Sequence, residues 1–179
     1  MAKYGMEMIL DYAKVFEEDR DMGSDDNDKG RKIAKHNGQC VVNGYFTDES
    51  QIQSLLDGGM QPAPLGHPRV KEGDPELGIG KYMQIARPFD NVKTFTDKKG
   101  NSKDVDYGGA PKVIDYTQGE ENKSLWTFDE RGSLGKGTKA MVQFETYLNG
   151  SGVRLLAIAV TDFVAPQENS SEEDAMFTV

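Results

Sequence analysis

The stretch that most restricts the fold runs from Thr138 to Val164. Two segments rich in β-formers, Thr138 to Leu148 and Val153 to Val164, flank Asn149-Gly150-Ser151-Gly152, a turn signal of the kind that joins antiparallel strands. In the first segment Ala140, Val142, Phe144 and Leu148 fall on one face and Lys139, Gln143, Glu145 and Tyr147 on the other, which predicts a half-exposed strand. The second is apolar at almost every position from Leu155 to Val160, which predicts burial on both faces.

The rest of the chain agrees with a β architecture. Twenty glycines and seven prolines, with eight Phe and seven Tyr, favour short strands and turns over a helical bundle. Met6 to Phe16 alternates as a strand, and Gly38 to Phe46 holds a second set of β-formers. Asp48 starts a short helix with a capping-box spacing to Gln51, and Gly58-Gly59 ends it. From Gln61 to Glu76, four prolines and two glycines predict an irregular loop. Lys81 to Arg87 and Val92 to Thr96 read as strands, Lys98-Lys99-Gly100-Asn101 as a turn tip, and Tyr107 to Pro111 as a second irregular stretch before Lys112 to Asp115. About six short strands with one short helix and long irregular loops predict a mainly β Greek-key barrel or sandwich, the OB-type barrel first. The length of 179 residues suits one domain, over residues 1–165, followed by a disordered acidic tail, residues 166–179, that begins at Pro166.

The formal charge of −9 is confined to two places. Residues 17–28 carry −6 and residues 166–179 carry −4, so the remainder is slightly basic, at +1. Such asymmetry points to an interaction tail and leaves room for an anionic partner on the body. The charges at Lys3, Glu7 and Asp11 do not suit a signal peptide, and no apolar run is long enough for a membrane helix, so the expectation is a cytoplasmic protein with no membrane partner.

Motifs for catalysis or metal binding fail on inspection. Asp25, Asn27 and Gly30 match three positions of a calcium loop, but Lys29 and His36 stand where oxygen ligands are needed. Gly132-Ser133-Leu134-Gly135-Lys136-Gly137-Thr138 resembles a phosphate loop, yet Gly137 separates the lysine from its hydroxyl. Gly78-Ile79-Gly80 lacks the third glycine of a dinucleotide fingerprint. Cys40, His36 and His67 cannot furnish a zinc site without heavy use of carboxylates, and one cysteine excludes an internal disulfide. The reading is therefore non-enzymatic and without cofactor or metal.

What remains is a mixture of cations and aromatic residues between Lys81 and Lys139. Lys81, Tyr82, Arg87, Phe89, Lys93, Lys98, Lys99, Lys112, Trp126 and Lys139 form the candidate nucleic-acid surface, because cations follow phosphates while rings stack on bases. Phe89 follows Pro88, which ends strand pairing, and so is expected at a loop mouth. Trp126 lies in a polar stretch and is expected to be partly exposed, whereas Phe95 and Phe128 suit the core.

The order of several segments resembles the replication single-stranded-DNA-binding proteins of tailed bacteriophages. The likeness is carried by Gly109-Ala110-Pro111-Lys112-Val113-Ile114-Asp115, by Trp126, by Leu134 to Thr138 leading into Val142 to Tyr147, by Gly152 to Leu155, and by Val160 to Val164. Lys81 to Pro88 looks like that family's strand ending in Arg-Pro. The resemblance covers about residues 80–165 and the tail. It implies an OB barrel that coats single-stranded DNA during replication or recombination. It also implies an acidic tail that competes with DNA and recruits replication partners such as a polymerase or helicase-primase. Glu172, Glu173, Asp174 and Phe177 would be the contacts of that tail, which here continues with Thr178 and Val179. Two rival expectations are a virion β-sandwich protein and an acidic DNA mimic. A homodimer is one option for assembly.

Overall fold

A computed structural model describes residues 2–167. The expectations for Glu172, Glu173, Asp174 and Phe177, and for disorder in the tail beyond Gln167, concern residues outside that range. Among the described residues ten strands form: β1 (Ala2–Lys14), β2 (Gln39–Phe46), β3 (Val70–Glu72), β4 (Lys81–Pro88), β5 (Val92–Thr96), β6 (Ser102–Asp106), β7 (Lys112–Asp115), β8 (Ser124–Leu125), β9 (Lys139–Tyr147) and β10 (Gly152–Asp162). The helices among the described residues are α1 (Asp28–Lys35), α2 (Glu49–Asp57) and α3 (Phe128–Arg131), with two further 3-10 turns. No helix among them is long and apolar enough to cross a membrane.

The main sheet has the order β3-β4-β2-β1-β9-β10-β7-β8, and a parallel bridge between Arg154 of β10 and Ala86 of β4 closes it. The closed circuit is β1-β2-β4-β10-β9 and back to β1, antiparallel at every seam but the β4–β10 one. A five-stranded barrel closed in this way is an OB-like fold, and the sandwich alternative is not what forms. Its interior is filled by the alternating positions that the sequence supplies. Met8 and Leu10 of β1, Val42 and Phe46 of β2, Met83 and Ile85 of β4, and Val142 and Phe144 of β9 are all buried, with Leu155 and Val160 of β10. α2 adds Leu55 to the same core. Asp48 caps it by accepting from the Ser50 N–H (3.3 Å), while the Gln51 side chain accepts from Thr47 N–H (2.8 Å) and donates to Glu7 O (2.9 Å), tying the helix to β1.

Three expectations are corrected here, and one strand is added. Among the described residues there are three helices rather than one: Asn27, in the tract that looked like a calcium loop, accepts from the Gly30 N–H (2.7 Å) and caps α1. β10 is not buried on both faces, because only one face of a barrel strand points inward; Arg154, Leu156, Ala157 and Ala159 remain half-buried. Leu148 does not share the buried face of β9, since the chain has already turned left-handed there (φ +51°). β6 was unread, its Ser, Lys and Asp being poor β-formers, yet it pairs with β5 from Val92↔Asp106 to Thr96↔Ser102. Burial pushes the thiol of Cys40 up to about 12, leaving it inert at neutral pH.

Candidate nucleic-acid interface

The β5–β6 hairpin is a two-stranded sheet separate from the barrel, and nearly every residue of it is exposed. Its root is fastened tightly. Phe89 N–H donates to Gly38 O (2.9 Å), Asp90 N–H to His36 O (2.7 Å), Tyr107 N–H to Asn91 O (2.9 Å) and Gly109 N–H to Phe89 O (2.6 Å). Arg87 adds two N–H bonds to Gly108 O (3.1 and 2.6 Å) and one to Leu155 O (3.4 Å). A side chain at Gly108 would place its Cβ 2.2 Å from Phe89 O, so this junction requires glycine.

Between the hairpin and the barrel opens a cleft of about 670 Å³. Lys93 and Phe95, two residues apart on β5, line it from the hairpin, and Tyr107 joins from the return strand's end. Tyr147, Leu148 and Arg154 line it from the β9–β10 end of the barrel, and His36 and Pro88 from the β1–β2 connection and the end of β4. Phe95 is 53% exposed and meets Tyr107 edge-on, with ring centroids 6.5 Å apart. The Arg154 guanidinium lies 4.6 Å from the Tyr107 ring centroid and 5.7 Å from that of Tyr147, and pairs with Glu145, which is 3% exposed. Burial, with the nearby Arg87, lowers the Arg154 pKa, while Tyr107 opposes the shift. The floor of the cleft is thus ring surface around an internally neutralised cation, and the exposed Lys93 lies along its edge.

At the hairpin tip Lys98 and Lys99 are exposed. Asp97 shapes that tip by accepting from the Lys99 and Asn101 N–H groups (2.8 and 2.9 Å), and the Asn101 bond is the main cause of its lowered pKa.

Of the ten residues expected at the surface, Lys93 lines the cleft and Lys98 and Lys99 share its arm; the others are elsewhere. Lys81 pairs with Glu49 (2.7 Å) and Tyr82 packs on Tyr45 (5.1 Å between centroids). Arg87 is committed to backbone carbonyls, which leaves few N–H groups for a phosphate. Phe89 does lie just past the end of β4, half-buried, but Arg20 covers one ring face at 4.2 Å. Lys112 is exposed beside a separate depression of about 200 Å³ shared with Ile114, Lys123 and Leu125. Lys139 is exposed at the opposite end of β9 from Tyr147. Trp126 is 2% exposed, and its Nε1 donates to Gly132 O (3.1 Å), so its expected exposure is corrected to core packing. Phe95 is corrected in the other direction, from core to surface.

Tyr107, Tyr147 and Arg154 were missed. A signal for one of them, Arg154, exists in the β9–β10 hairpin: antiparallel pairing across the Asn149–Gly152 turn sets Arg154 directly opposite Glu145, two opposite charges facing each other on neighbouring strands.

No protein-family model and no curated protein matches this chain. Among solved structures it is similar to the single-stranded DNA-binding protein from bacteriophage Enc34, in a C-terminally truncated form, with 12% sequence identity and a TM-score of 0.49 over 92% of this chain and 87% of that one.

Proposed function

We propose that the protein binds single-stranded DNA with little sequence preference, without catalysing a reaction, and coats it during phage DNA replication or recombination. The observation that carries this reading is the convergence of Phe95, Tyr107 and Tyr147 with Lys93 and Arg154 in one cleft on an OB-like barrel. Rings offer faces to any base, so stacking tolerates sequence, while the lysines of the hairpin follow the phosphates. The overall charge of −9 does not oppose this, because the acid lies in residues 17–28 and 166–179. Recruitment of replication proteins through the acidic tail belongs to the same proposal.

Titration of labelled oligo-dT at rising salt tests it. The expected result is sub-micromolar affinity at low salt and a steep linear fall of log K with log salt, about 0.7 per phosphate neutralised. A salt-insensitive or millimolar interaction overturns the reading, and binding to another protein's nucleic-acid site instead would point to a DNA mimic.

A further inference from the structure

Three consecutive residues of the β9–β10 turn, Leu148, Asn149 and Gly150, have φ of +51°, +54° and +85°. Asparagine and glycine adopt this region readily, whereas leucine does so against a clash between its Cβ and the following carbonyl. The turn is held in this shape from outside. Gln61 donates its N–H to Gly150 O (2.9 Å) and its side-chain amide to Asn149 O (3.3 Å), and the Arg69 guanidinium donates to Ser151 O. A Cβ on Gly150 would lie 2.0 Å from Gly59 O, so the bracing segment and the turn are in direct contact.

Burial does not repay the conformation of Leu148, which is 71% exposed. One exposed leucine needs no explanation, and neither does one left-handed residue. Both features coincide at Leu148 on the wall of the cleft, directly after Tyr147. Tyr12 and Leu65 are also left-handed and exposed, but neither lines the cleft. Strain that persists in a braced turn beside a binding surface is where a functional requirement is expected.

We propose that Leu148 is a ligand-contacting residue, held out by the braced turn so that its side chain packs on a base of the single strand beside Tyr147. This rests on the reading of the cleft as a nucleic-acid site. The test uses Leu148→Asn and Leu148→Gly in the full chain, because both residues suit left-handed backbone. Each variant is expected to melt at or above the parent temperature and to bind oligo-dT about tenfold more weakly, as for loss of one base contact. Leu65→Asn, the same change in the same backbone region away from the cleft, is expected to bind as the parent does. Affinities of both Leu148 variants within about twofold of the parent overturn the proposal, as does a lowered melting temperature in both, which would make the leucine a structural part of the turn. Parent protein that fails to bind oligo-dT overturns the functional reading itself, an outcome distinct from parent binding that the variants leave unchanged.

Discussion

Two clusters in this molecule use the same parts: an arginine, two aromatic rings and a carboxylate. In one, the Arg131 guanidinium lies 3.9 Å from the Trp126 ring centroid and 5.9 Å from that of Phe163, and pairs with Asp115 at 2.8 Å. In the other, Arg154 lies against Tyr107 and Tyr147 and pairs with Glu145. The first is closed. α3 brings Arg131 back over the indole, Phe163 packs against it at a tilt with ring centroids 4.7 Å apart, and Trp126 joins the main core. The second is open, because the β5–β6 arm leaves Tyr107 and Tyr147 half-exposed on a cleft. What distinguishes a core ring from a ring left open to the surface is whether another element covers its second face, and residue type alone does not encode that.

The largest expected effect breaks the closed cluster. Trp126→Ala should cost about 3 to 5 kcal/mol of stability by urea denaturation, since it removes a buried ring and leaves a cavity. Tyr107→Ala should cost less than about 1 kcal/mol of stability and instead lose about 1 to 3 kcal/mol of affinity for oligo-dT. As Trp126 is the sole tryptophan, its emission gives a second readout: blue-shifted, and unmoved by added oligo-dT. Equal stability losses in the two variants would erase the distinction between the clusters.

That distinction also marks where sequence reading stops. The barrel strands were visible because burial of one face imposes a period of two, and the α2 cap was visible because Asp48 and Gln51 stand at a fixed spacing. The β5–β6 tip was visible from Lys98-Lys99-Gly100-Asn101, for Gly100 takes φ +83° there. Trp126 was misplaced because Lys123, Ser124, Thr127, Asp129 and Glu130 make its surroundings in sequence read as a polar stretch, while Phe163, Val113 and Arg131, which lie against it, come from other parts of the chain. Arg87 has a use that the sequence does not display: it reads as the last cation of the strand Lys81 to Arg87, and in the fold it is a clamp on Gly108 O. Local pattern specifies strands well, but a cleft is made where β4, β5, β9 and β10 meet, and that meeting is set by barrel closure.

The open cluster is sharpened by the lysines beside it. Lys93, Lys98 and Lys99 are exposed on the hairpin, so replacing all three with Ala should leave the urea midpoint nearly unchanged. Affinity for oligo-dT should fall, and the slope of log K against log salt should flatten by about 2 if all three meet phosphates of a single strand. Combined with Tyr107→Ala, the triple variant separates the ionic from the stacking contribution, because the ring change should lower affinity without altering that slope. An unchanged slope in the triple variant would move the phosphate path off the hairpin.

The smallest effect concerns acid. The Thr117 hydroxyl (2.6 Å), the Arg131 guanidinium (2.8 Å) and the Thr117 N–H (2.8 Å) all favour the Asp115 carboxylate, and they hold its pKa below the ordinary value. A depressed folded-state pKa means that the unfolded chain takes up its proton first. The contribution of Asp115 to stability is therefore complete above the unfolded value of about 3.9 and disappears as pH falls through the lower folded value. Asp115→Asn should accordingly be less stable than the parent at pH 7, and the two stability curves should converge as pH drops below about 4. Asp74 and Asp97 have pKa values shifted in the same direction, so the variant should retain some acid sensitivity of its own. Because Asp115 belongs to the closed cluster, oligo-dT affinity of the folded variant at pH 7 should match the parent. A stability gap that stays constant down to about pH 2 would mean that Asp115 acts by packing rather than by charge.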